Sequence, residues 1–145
     1  MISAIPCSRV RKPLALCFLG SSGCGKTSII HGFGSAVNYQ SVRPESSYGV
    51  NIDYQSVTLE NGANVKFNVY EIRGDRCFDN NAMLTLERVA MDAVVIMFDI
   101  ADQESYNRAK EWLEMLKAYG LKSLIFLVGN DTSRGRRRRI KYDVR

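Results

Sequence analysis

Gly20-Ser21-Ser22-Gly23-Cys24-Gly25-Lys26-Thr27 sets three glycines, a lysine and a hydroxyl in the order GxxxxGK[ST]. Those residue types in that order suit the holding of phosphates. Glycines let the backbone curl until successive N–H groups converge on one point, and a helix N-terminus behind them adds positive potential. Lys26 neutralises the outer phosphates, and the Thr27 hydroxyl is placed for Mg²⁺. The candidate cradle comprises Ser22, Gly23, Cys24, Gly25, Lys26, Thr27 and Ser28. Cys24 has two readings: a small apolar filler, or a thiol activated by the helix N-terminus as a redox switch.

Such a loop works only between a strand and a helix, and both are legible. The apolar run Leu14–Leu19 predicts a buried strand, and Lys26 to about Phe33 predicts a helix starting inside the loop. "VRPESSYG" is a polar loop. Val50–Glu60 and Val65–Tyr70 then read as two strands around the turn "ENGAN", an antiparallel hairpin. Ala82–Met91 is a short helix candidate, and Ala93–Ile100 is a strand too apolar to face water. Gln103–Tyr119 carries Tyr106, Ala109, Trp112, Leu113 and Leu116 on one helical stripe closed by Gly120, and Leu124–Val128 is the last strand. Strands alternating with helices predict an α/β fold, a three-layer P-loop sandwich on a mainly parallel sheet of about five strands, one of them antiparallel.

The chain has 145 residues, 46% of them hydrophobic, enough for one domain with a real core. No apolar run approaches the ~20 residues that span a bilayer, and "MISAIPCSRVRKP" lacks the apolar stretch of a secretory signal. Its four cysteines form no CxxC pair, so thiols in a reducing cytoplasm are expected, with neither disulfide nor metal cluster. The net charge of +5 leans on "RGRRRR" at 134–139. The expected division is an N-terminal arm over 1–13, a domain over 14–133 and a basic tail over 134–145.

From Leu14 to Asn130 the chain resembles the Ras superfamily of small GTPases, and its Rab branch most closely. "GSSGCGKTS" is similar to the Rab phosphate loop, and "SSYGVNI" to the switch segment "TIGVDF". "VYEIRGDRCF" lines up with "IWDTAGQERF", "IMFDIADQESYNRAKEWLEML" with "YDITNxxSFxxxxxW", and "LIFLVGND" with "IVLVGNKxD". The resemblance implies GTP/GDP and Mg²⁺ as cofactors and effector or regulatory proteins as partners at the switch segments. It also implies a place in vesicle transport, in the cytoplasm and peripherally at membranes.

Several family positions are altered. Ser47 stands for the switch Thr and Glu71 for the Asp of DxxG, each keeping an oxygen for the metal, Glu71 through water and with one more methylene, which shifts a site that needs near-octahedral Mg²⁺ geometry. Gly74 is retained and keeps the N–H that senses the γ-phosphate. Asp75 replaces the water-orienting Gln and adds a negative charge beside the phosphates, so slow hydrolysis is expected. Arg73 replaces an Ala and reads either as a solvated charge or as an arginine finger in cis. Base reading falls to Asn130 and Asp131, in a string lacking the Lys and Asp of NKxD.

The resemblance further implies that the family's last strand and helix, its SAK-type base loop and a lipid-bearing cysteine box have no counterpart after Asn130. An open sheet edge beside Leu124–Val128 follows as an expectation, with self-association or a partner to cover it. The basic tail has two readings, a solvated run or a contact with anionic lipid. Two function classes stand: a GTP-dependent switch with slow hydrolysis, and a non-hydrolysing pseudo-GTPase that binds partners without cycling.

Overall fold

The computed structural model of the chain describes residues 12–34, 38–42 and 49–132. Six strands and three helices follow one another as β1 (Leu14–Gly20), α1 (Lys26–Gly34), β2 (Asn38–Val42), β3 (Val50–Thr58), β4 (Asn64–Ile72), α2 (Asp79–Arg88), β5 (Ala93–Asp99), α3 (Gln103–Tyr119) and β6 (Leu124–Asn130). One 3₁₀ turn, Arg76–Phe78, leads into α2.

All six strands form one sheet in the order β2-β3-β4-β1-β5-β6. β1 pairs parallel with both β4 and β5, and β5 pairs parallel with β6. β3 runs against β2 and β4, so it alone is reversed. The mainly parallel α/β sandwich with one antiparallel strand is therefore present. β2 is a strand beyond the five expected: "NYQSV" has almost no apolar alternation, and its extended form comes from pairing Asn38–Val42 against Ser56–Ile52 of β3.

Alternation along β1 separates the layers. Ala15, Cys17 and Leu19 are buried in the main core with Ala82 and Leu86 of α2 and Ala109, Trp112 and Leu116 of α3. Leu16 and Phe18 point the other way, beneath Ile29 and Ile30 of α1. Burying each large apolar side chain of this core contributes roughly 1.5 to 3 kcal/mol.

The helix ends follow from side chains. Asp102 caps α3 by accepting from the Glu104 N–H at 3.0 Å, and Gly120, at φ 75°, ends it by donating to the Leu116 and Lys117 carbonyls. α2 begins at Asp79, three residues before the apolar pattern that suggested Ala82. Its first residue bonds the guanidinium of Arg108 on α3, which also reaches Glu111 at 3.1 Å and lies 4.9 Å over the Trp112 ring. Arg108 is 5% exposed, so this paired charge locks α2 to α3.

Candidate functional site

β1 delivers the chain to the glycine loop, and α1 leaves it at Lys26. Gly25 has φ 94°, a backbone that side-chain-bearing residues rarely adopt, and a Cβ there would lie 2.2 Å from the Asn130 amide nitrogen. Ile29 donates its N–H to the Gly25 carbonyl at 3.0 Å, which starts the helical ladder directly behind the loop.

Lys26 turns into this loop. Its Nζ donates to the carbonyls of Gly20 and Ser21, both at 2.8 Å, and lies 3.9 Å from the Cys24 sulfur. Burial pushes its pKa below the ordinary 10.5, opposed by the neighbouring Cys24, Glu71 and Asp75. Burial likewise raises the Cys24 thiol, with Lys26 opposing. A raised thiol is not activated, which leaves Cys24 as the apolar filler rather than the redox switch.

Two segments close on the loop. From β4, Glu71 accepts a short hydrogen bond from the Thr27 hydroxyl, joining the two oxygen donors expected at the metal. Glu71 is 5% exposed. Three residues on, Gly74 packs against the loop so closely that a Cβ would stand 2.0 Å from the Ser22 nitrogen. Asp75 faces Arg73 at 3.7 Å, and Arg73 also lies 5.1 Å over the Phe78 ring while its N–H bonds the Gly49 carbonyl. That ion pair is exposed and adds little stability, but it partly cancels the Asp75 charge.

The second segment is the end of β6. Asn130 donates from its side chain to the Cys24 carbonyl at 3.1 Å and so clasps the phosphate loop from outside. Asp131 is exposed beside it, and the Thr132 hydroxyl bonds the Asp99 carboxylate. The residues brought together are thus Ser22 to Ser28, Glu71, Gly74, Asp75 and Asn130. Ser47 lies outside the described residues, as do the basic tail and most of the N-terminal arm.

Sequence reasoning missed Asp99, which accepts from the Ala101 N–H at 2.8 Å and from Thr132 and so shapes the turn that faces Asn130. It also missed Asp92, whose carboxylate accepts from the Ala15 N–H at 2.8 Å at the foot of β1. An acidic residue at each end of the apolar run Ala93–Phe98, Asp92 before it and Asp99 after it, was the available signal.

The donor set fits a nucleotide with Mg²⁺. A buried ammonium inside a glycine loop and a hydroxyl–carboxylate pair match phosphates and a hard cation that keeps waters and needs only one or two protein oxygens. Among the described residues no cluster of three or more His, Cys, Asp or Glu is present.

Strand, glycine loop, helix and buried lysine at the end of a parallel strand define a P-loop nucleotide-binding domain. The Ras family pattern matches residues 15–144, extending past Asn130. The chain is 33% identical over 118 residues to the Ras-related protein RABF2a of Arabidopsis thaliana, covering 79% of this chain and 56% of that protein. It is 30% identical over 132 residues to the Ras-related protein Rab5A of Oryza sativa subsp. japonica, covering 89% and 61%. With the GTP-binding protein YPT1 of Saccharomyces cerevisiae it shares 28% identity over 130 residues, 89% and 61%. The chain belongs to the Ras family, as a Rab-like small GTPase. It spans about three-fifths of the length of these curated relatives.

Proposed function

We propose that this chain is a Rab-like nucleotide switch that binds GTP and GDP with Mg²⁺ and hydrolyses GTP slowly. The observation that carries the reading is the buried Lys26 ammonium held inside the glycine loop, 2.8 Å from two backbone carbonyls. A buried cation that hydrogen-bonds neutral carbonyls directly, with the Glu71 and Asp75 carboxylates acting on it only at longer range, is incompletely compensated, and phosphate supplies further countercharge. Loop N–H groups from Ser22 to Ser28 bind the phosphates, and Thr27 with Glu71 holds the cation. Ser47 is assigned to the same cation from the resemblance. Mg²⁺ when bound neutralises charge on the phosphates.

Gly74 reports the outermost phosphate through its N–H. Its approach to Ser22 leaves no spare room, so an added group on the loop must move the 73–75 segment. Asp75 occupies the water-orienting position, but its carboxylate is paired with Arg73 and repels the phosphates, which accounts for slow turnover. Asn130 and Asp131 face the base, with Asn130 already spent in part on the Cys24 carbonyl. The switch segments and the β3–β4 hairpin are the effector surface, in the cytoplasm and peripherally at membranes, with the basic tail against anionic lipid. No helix among the described residues is long and apolar enough to cross a membrane.

A second reading, a pseudo-GTPase that binds nucleotide or partners without cycling, is favoured by the same Arg73–Asp75 pair. Lys26→Ala is expected to weaken binding of fluorescent GDP and GTP at least tenfold, about 1.4 kcal/mol for a charge-assisted contact. Unchanged affinity removes the proposal. Loss of binding in the variant, with no hydrolysis by wild type under single turnover, selects the pseudo-GTPase.

A further inference from the structure

Between Ile72, buried at the end of β4, and Ala82, buried on α2, none of residues 73–81 is buried. This stretch carries Gly74 and Asp75, so whatever holds it decides how closely it sits on the phosphate loop. Upstream the sheet holds it: Ile72 pairs with Val50, and the Arg73 N–H bonds the Gly49 carbonyl at 2.8 Å. Downstream the apolar hold is slight. Phe78 is half-buried against Gly49, and neither Asp75 at the head of the 3₁₀ turn nor Phe78 at the head of α2 caps its helix with a side chain. The fastening comes from α3 instead. Arg76 bonds Glu111 at 3.0 Å, Arg108 bonds Glu111 at 3.1 Å, and Arg108 also bonds Asp79. Hydrogen bonds from Arg76 and Arg108 keep the Glu111 carboxyl below the ordinary glutamate range.

Cohesion alone does not explain this arrangement. Taking a guanidinium out of water offsets most of what its ion pairs contribute, and an apolar side chain often joins two elements as well. Among the described residues the Arg108 Nε–H is the buried side-chain polar atom left without a hydrogen-bond partner. What charges add is a defined register between α2 and α3.

We propose that Arg108 and Glu111 are positioning residues for the phosphate-sensing segment: by holding Asp79 and Arg76 they keep Gly74 pressed on the phosphate loop, and so set the preference between GTP and GDP. A Cβ on Gly74 would stand 2.0 Å from the Ser22 nitrogen, so an outermost phosphate needs the 73–75 segment to retreat. With β4 fixed in the sheet, the segment retreats only if its downstream end moves, and that end is fastened to α3 by charge. The latch therefore opposes the triphosphate and spares the diphosphate. All four of its residues lie between 76 and 111, within the described residues. The inference rests on the reading of the loop as a GTP and GDP site.

The test compares Asp79→Ala, Arg108→Met and the double variant with wild type, each as the full chain. In the nucleotide-free chain, hydrogen exchange over 73–81 is expected to quicken about tenfold in every variant and to stay unchanged over 93–99. With Mg²⁺ present, the ratio of affinities for fluorescent GTP and GDP is expected to rise roughly fivefold or more. Because Asp79 acts through Arg108, the double variant should match the single variants and not add to them. A merely structural role would lower both affinities alike, so an unchanged ratio overturns the proposal, as does unchanged exchange over 73–81. If Arg108→Met fails to fold, the exposed Glu111→Gln takes its place, with a smaller shift of the same sign. If wild type binds neither nucleotide while exchange over 73–81 quickens in the variants, the reading of the loop as a GTP site fails and the hold of α3 on the segment is supported.

Discussion

Replacing Gly74 by Ala tests the closure of the 73–75 segment on the phosphate loop. Gly74 is not in the left-handed region, so its backbone accepts alanine and the effect is steric. The new methyl would lie 2.0 Å from the Ser22 nitrogen, 2.3 Å from the Ser21 carbonyl carbon and 2.7 Å from the Gly20 oxygen. Non-bonded contacts of this kind relax to about 3.5 Å, so the two segments must part by roughly 1.5 Å. All three obstructing atoms are backbone, and neither side yields easily. Glu71 is bonded to Thr27 upstream, and the loop is clasped at Cys24 by Asn130. Overpacking of this kind costs about 1 to 3 kcal/mol. For a domain of this size that is a melting point roughly 3 to 12 °C lower. Calorimetry of the nucleotide-free chain measures it, with Gly32→Ala as control, since nothing lies within 4 Å of a Cβ there. If the Gly74 N–H contacts the outermost phosphate as proposed, wild type has a preference for GTP over GDP that the same variant loses. A melting point within 1 °C of wild type, with that preference intact, refutes the closed approach of Gly74.

Asp75→Gln removes the charge paired with Arg73 and restores an amide at the water-orienting position, so single-turnover GTP hydrolysis is expected to accelerate; an unchanged or slower rate shows that Asp75 does not limit it. Lys26 gives a pH signature with two opposite signs. Its lowered pKa means that it loses its proton earlier than an ordinary lysine, so nucleotide affinity falls on the alkaline side, and that fall is absent in Lys26→Ala. In the window between the lowered value and 10.5 the unfolded chain holds more protons than the folded one, so the contribution of Lys26 to nucleotide-free stability rises with pH. Denaturant titrations of wild type and Lys26→Ala across that window measure the difference.

Local patterns made much of this molecule readable. Leu14–Gly20 and Gln103–Tyr119 announce themselves by apolar runs, helical stripe and caps, because burial and capping act within a few residues. β2 was hidden because its partner, not its composition, makes it a strand. The start of α2 was misplaced for a similar reason: Asp79 is helical through its bond to Arg108, 29 residues away. At the site, the glycine loop was complete in the sequence. The clasp by Asn130 was not, since an asparagine read as a base contact proves also to be a strut for the phosphate loop.

The Asn130 strut has a consequence for the order in which the chain assembles. It joins residues 106 apart, making the phosphate loop one of the most non-local pieces of the fold although its motif is contiguous. At roughly 5 to 20 residues per second of synthesis, about 5 to 20 seconds separate the two partners on the ribosome. During that interval the glycines and Lys26 exist without the group that fixes the Cys24 carbonyl. The nascent chain therefore carries its full nucleotide motif long before β6 is made, and it is β6 that braces the first loop.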